Sequence, residues 1–289
     1  MNAIIEAKNL SKHYGSFKAV DDVSFEIKLG RIVGLIGSNG AGKTTLLNAI
    51  LGLSRYQGEL SVLGQDPSVD RAKLMEKVCF ISDVATLPRW MKVSQTIDFV
   101  EGVHPAFSRE RALEYLARTK IPLNKKIKGL SKGMVTQLHL ALVMSIDAQL
   151  LVLDEPTLGL DIIFRKNFYE NLLEDYFDHE RTILVTTHQV EEIENILTDA
   201  MFIKDGKIVL NATLDDLALR FHQLTVDDSL VEQAKALNPI WQKSVMGLNS
   251  FIFDGVPQEK LAELGTTKHV GLADLFVAKM SNGSLGENS

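Results

Sequence analysis

One cysteine, two tryptophans and seven prolines are all that 289 residues contain of those types, and there is no excess of basic charge. The lone cysteine excludes a disulfide within the chain, and Cys79 lies in the apolar run KVCFIS, where a core thiol in a reducing compartment is expected. Lysine and arginine number 31 against 37 acidic residues, a formal charge of −6, so the basic face of a dedicated nucleic-acid binder is missing and no nucleic-acid partner is expected. No apolar run approaches the ~18 residues of a spanning helix. The opening MNAIIEAKNL has no basic segment followed by an apolar core, as a secretory leader would. The expectation is a cytoplasmic chain that reaches a membrane only through a partner. Repeats and low-complexity tracts are also missing, and the length suits about two domains.

What is present is alternation of strand and helix patterns. IIEAKNL and VSFEI alternate as half-buried strands and predict an antiparallel pair turning at Tyr14 to Phe17. RIVGLIG reads as a buried strand running into SNGAGKTTLLNAILGL, where glycines give way to a helix pattern. Further core strands are predicted at KVCFIS, QLLVLDE, RTILVTT and AMFIKDG, with helical segments between them. That order gives an α/β fold with a mostly parallel sheet covered by helices. A helical insert is expected over about residues 86 to 148. From about residue 221 shorter strands, HQLTV and NSFIFDG, and a final helix LADLFVAKM predict a small α+β appendage over 221–280, and residues 281–289 a disordered tail.

Residues Gly37, Ser38, Asn39, Gly40, Ala41, Gly42, Lys43, Thr44 and Thr45 match the phosphate-binding pattern G-x-x-x-x-G-K-S/T. Its glycines let backbone amides face phosphate, Lys43 brings a charge to the β and γ oxygens, and the Thr44 hydroxyl can bind magnesium. The strand Leu150 to Leu153 ends in Asp154 and Glu155; the first could hold a magnesium water and the second deprotonate an attacking water, although paired acids also begin solvated loops. His188 ends another core strand and could reach the γ-phosphate. With only Glu191 and Glu192 nearby in sequence it makes a poor metal site. Finally, GLSKGMVTQL combines an N-cap serine, Ser131, with a glycine, Gly133, in the first helical turn. Glycine there costs roughly 1 kcal/mol against alanine, unless something must approach the backbone.

Together, GSNGAGKTT, LSKGM, LLVLDEP, GLD and TTH, in that order, resemble the nucleotide-binding subunit of an ABC ATPase over residues 1 to about 220. The resemblance implies a P-loop NTPase (RecA-like) core with an N-terminal antiparallel β subdomain, a helical signature subdomain and ATP with Mg2+ as cofactors. It implies Tyr14 stacking on adenine, Glu155 as the catalytic glutamate, His188 as the γ-phosphate sensor and Asp161 as the link between two sites. It also implies that Ser131 and Gly133 bind the ATP of a second copy or a paralogue in a head-to-tail dimer. The chain departs from the family where Lys132 and Met134 replace a glycine and a glutamine of the usual signature, and where Asp83 stands for the glutamine that touches magnesium. Those departures, with the ending HVGLADLFV, resemble the branch of drug, antibiotic and sodium exporters, whose partner is a separate multi-span permease. The competing expectation is a soluble ABC ATPase acting on a ribosome, nucleic acid or a regulatory protein.

Overall fold

A computed structural model describes residues 3–82, 87–157, 162–178, 180–245 and 247–281. In chain order its strands are β1 (Ala3–Tyr14), β2 (Phe17–Lys28), β3 (Ile32–Ile36), β4 (Gln57–Val62), β5 (Val78–Ile81), β6 (Leu150–Asp154), β7 (Thr182–Thr187), β8 (Asp199–Lys204), β9 (Lys207–Thr213), β10 (Phe221–Asp227), β11 (Trp241–Val245), β12 (Leu248–Asp254) and β13 (Thr266–His269). The helices are α1 (Lys43–Ile50), α2 (Arg71–Leu74), α3 (Val93–Val103), α4 (Arg109–Ala117), α5 (Lys132–Met144), α6 (Ile162–Asn171), α7 (Leu214–Arg220), α8 (Val231–Lys235), α9 (Gln258–Ala262) and α10 (Leu272–Met280).

The central sheet runs β5-β6-β7-β3-β8-β9, parallel except for the β8–β9 pair. Every residue of β3, β6 and β7 is buried, which is why these strands read as continuous apolar runs and not as alternations. Their carboxyl ends lie side by side: Asp154 pairs with Thr186, and Ile36 with Thr187. Ligands of open α/β sheets bind outside such strand ends.

A second sheet, β2-β1-β4, is antiparallel, and its first hairpin closes on the pair Tyr14 and Phe17. Backbone bonds from Asp21 N to the Gly206 carbonyl and from Gly206 N to the Ala41 carbonyl, 2.9 and 3.0 Å, tie the hairpin and the glycine loop to the β8–β9 turn. The insert between β5 and β6 holds α3, α4 and α5 around its own core of Val93, Ile97, Leu116, Leu138 and Leu142. Among the described residues no helix is long and apolar enough to cross a membrane.

The third sheet, β11-β12-β10-β13, is antiparallel, and Leu224, Phe251 and Phe253 share a core with Leu261 of α9 and Ala234 of α8. The final helix, read with this appendage in the sequence, packs on the large domain instead. Leu272 and Leu275 of α10 join the core containing Ile193 and Phe202, and the Phe276 ring meets Phe202 edge-on at 5.4 Å. The Leu272 N–H donates to Glu194 at 2.7 Å, taking up a first-turn amide that a helix of this length leaves free. The predicted tail falls outside the described residues, apart from Ser281.

Candidate functional site

The loop between β3 and α1 is shaped by glycine. Gly42 has φ +111°, and a Cβ there would lie 2.4 Å from the Ala19 carbonyl oxygen; one at Gly37 would lie 2.6 Å from that of Ile203. Neither position can hold a larger residue without moving backbone. Leu46, Leu47 and Ile50 bury one face of α1, fixing the helix so that its free N-terminal amides meet the loop, an arrangement suited to anions.

Lys43 is the first residue of that helix and is buried. Its ammonium donates to the carbonyls of Gly37 and Ser38 at 2.7 and 3.3 Å and lies 3.5 Å from a Glu155 carboxylate oxygen. Thr44 donates its hydroxyl to Asp154 Oδ2 at 3.1 Å. The other oxygen of Asp154 accepts from Thr186 at 2.6 Å. Glu155 carries φ +48°, a left-handed conformation costly for a residue with a side chain. Its N–H is held by the Thr186 hydroxyl at 3.1 Å and the Thr186 carbonyl at 3.3 Å. The Glu155 carboxylate then meets His188 Nδ1 at 2.8 Å. An ionised carboxylate only accepts, so this contact puts a proton on Nδ1 of His188.

Lys43, Thr44, Asp154, Glu155 and His188 line one cleft of 580 Å³, together with Tyr14, Phe17, Ala19, Ser38, Asn39, Gly40 and Thr45. That volume suits a ligand the size of a nucleotide. Tyr14 and Phe17 are 53% and 61% exposed at its mouth, giving two aromatic faces where the sequence suggested one. Phe17, Ala19 and Thr186 are the site residues that sequence reasoning missed. The signal for Phe17 was available, because a residue paired across a hairpin shares a face with its partner. The hydroxyl of Thr44 and the carboxylate of Asp154 are hard oxygen donors side by side, the set that magnesium takes.

Ser131 and Gly133 stand apart from this cleft, at the start of α5. Ser131 caps the helix by accepting from Met134 N at 3.2 Å. Among the described residues a Cβ on Gly133 would meet nothing within 4 Å, so no packing among them demands glycine there. Asp83 and Asp161 lie outside the described residues.

A glycine-rich loop closing on a helix N-terminus, with a Thr–Asp pair and a Glu–His pair at adjacent strand ends, defines a P-loop nucleoside-triphosphate site. The ABC transporter family pattern matches residues 20–158. The chain is 32% identical over 212 residues to the SkfA peptide export ATP-binding protein SkfE of Bacillus subtilis, covering 71% of this chain and 87% of that one. It is 29% identical over 215 residues to the ABC transporter ATP-binding protein YtrB of the same organism, 74% and 73% covered. A solved ATP-binding subunit of an ABC transporter superposes with a TM-score of 0.66 at 26% identity, over 74% of this chain and 91% of that chain. The chain belongs to the ABC transporter family and is an ATP-binding subunit of it; the family hydrolyses ATP.

Proposed function

We propose that this chain powers an exporter. It would close head to tail on a second copy or a paralogue around two ATP molecules and pass the motion to a separate membrane permease. Its place would be the cytoplasmic face of the membrane, held there by that permease. The observation that carries the reading is the convergence of Lys43, Thr44, Asp154, Glu155 and His188 on one cleft. In it the glycine loop and Lys43 hold the phosphates, Thr44 and Asp154 hold Mg2+, and Glu155 takes the proton of the attacking water while His188 orients that carboxylate. Magnesium, when bound, neutralises charge on the transferring phosphate. Tyr14 and Phe17 supply stacking faces for the base.

Gly133 supports the dimer. A helix N-terminus with open space above a first-turn glycine suits the close approach of an anion from another chain. The export direction rests on the likeness to a peptide-export relative and on the LSKGM signature.

Trp90 supports the permease contact. A tryptophan in this insert has two uses, to anchor it on the core or to form part of a docking groove. At 70% exposure it anchors little. Trp90→Ala is expected to weaken recovery of the chain with membranes while ATP affinity stays within about twofold. A mild-detergent pull-down of the tagged chain from its native cell tests the whole proposal. A stoichiometric multi-span protein is expected, and ribosomes or soluble proteins alone would move the function to another target.

A further inference from the structure

We propose that Thr186 is a positioning residue for both carboxylates of this site, its one hydroxyl setting the orientation of Asp154 and the backbone of Glu155. This rests on reading Asp154 and Glu155 as the magnesium and water-handling groups.

Thr186 is fully buried on β7, directly opposite Asp154 in the strand register. The geometry fixes the direction of each bond. The Asp154 carboxylate can only accept, so the hydroxyl proton of Thr186 goes to Oδ1 at 2.6 Å. The oxygen lone pairs then receive the Glu155 N–H at 3.1 Å. One side chain therefore stands between two consecutive acidic residues and serves both.

The two contacts do different things. Asp154 is gripped from both sides, by Thr186 on Oδ1 and by Thr44 on Oδ2. Thr44 is the hydroxyl assigned to the cation; once it turns there, Thr186 is the side chain, among the described residues, that still holds the plane of the carboxylate. At Glu155 the bond holds a residue at φ +48°, a turn that the chain does not adopt without support. That turn aims the side chain at Lys43 and His188. A valine has the same shape and neither bonding capacity, so exchanging it for Thr186 isolates the hydroxyl.

The test compares Thr186→Val and Thr186→Ser by phosphate release, with Mg2+ titrated at saturating ATP, and measures ATP binding to each in a Glu155→Gln background. Supporting groups behind metal ligands typically matter by 10- to 100-fold. Thr186→Val is expected to lower kcat about tenfold or more and to raise the Mg2+ needed for half-maximal rate, with ATP affinity changed less than about threefold. Thr186→Ser, which keeps the hydroxyl, should stay within about threefold of the parent. A valine variant with parental kcat and Mg2+ dependence would overturn the proposal. So would a serine variant as slow as the valine one, since the loss would then follow the methyl group. If the valine variant does not fold, Thr186→Ala against Thr186→Ser makes the same comparison. Glu155→Gln in the otherwise native chain separates the two levels. Unchanged hydrolysis there would remove the reading of the site itself, whereas a dead Glu155→Gln beside an active Thr186→Val would remove only the role of Thr186.

Discussion

At the carboxyl ends of the six-stranded sheet, buried Lys43, Asp154 and Thr186 each have hydrogen-bond partners in a chain that ends at His188. The four-stranded sheet also buries polar atoms, yet His222 Nδ1, Gln223 Oε1 and Gln242 Oε1 have no hydrogen-bond partner among the described residues. A buried polar atom left unpaired costs roughly 1 to 3 kcal/mol. Apolar packing by Leu224, Phe251, Phe253 and Leu261 has to offset that cost in the small sheet. In the large sheet the polar groups offset one another and are held in place before any ligand arrives. Removing a paired polar group should therefore cost activity in the first region, whereas removing one of these unpaired groups should add stability in the second.

The largest effect is expected at Glu155. Glu155→Gln keeps the shape of the side chain but gives up the proposed base and the charge facing Lys43. Phosphate release should fall by roughly a hundredfold or more while ATP binding persists. Fluorescent-nucleotide titration beside a phosphate-release assay checks both halves. Loss of binding as well would mean that the carboxylate holds the loop together and does not act on water alone.

Next in size is the polar joint between the two regions. Asp254 at the end of β12 accepts from Arg220 Nε at 2.5 Å and Nη2 at 3.0 Å, and from Lys279 of α10 at 3.2 Å. Burial pushes its carboxyl up, but the hydrogen bonds from Arg220 and Lys279 outweigh burial and hold it below the usual 3.8. Because the folded pKa is depressed, this stabilisation is present above 3.8 and is lost as pH falls through the folded value. Arg220 is largely exposed, so solvent screens much of the gain. Asp254→Asn is expected to cost about 1 kcal/mol at pH 7 and nothing in strong acid, as read by urea unfolding at both. An equal cost at both pH values would assign the effect to packing.

The two regions also differed in how far the sequence revealed them. The phosphate loop, the DE pair and the TTH ending are local patterns, because glycine geometry and a strand end are written in adjacent residues. Thr186 escaped because its role depends on β6 and β7 being neighbours in register, a pairing made across 32 residues. In the appendage, HQLTV and NSFIFDG read as strands, but the exposed edge strand β13, TTKH, has no apolar alternation to mark it. The apolar face of α10 was visible as a pattern; that it turns toward Phe202 is a tertiary fact. Cys79 behaves as the sequence implied, with burial pushing its thiol up to about 12, so it stays protonated at neutral pH.

An effect of similar size and opposite sign is the sharpest test of the contrast. His222 is 6% exposed, opposite His269 on β13, with the two rings 6.3 Å apart. Burial lowers its pKa below 6.5 and the neighbouring His269 lowers it further, against an opposing pull from Glu259. The unfolded chain therefore takes up a proton near pH 6.5 that the folded chain refuses until lower pH. The stability tied to the neutral ring is complete above 6.5 and declines as pH falls from there toward the folded value. His222→Leu removes both the unpaired Nδ1 and this titration. Stability at pH 7.5 should rise by about 1 kcal/mol, and the loss between pH 6.5 and 5.5 should shrink, as measured by urea unfolding midpoints. A less stable variant would mean that Nδ1 has a use that apolar packing cannot replace, and the small sheet would then resemble the large one.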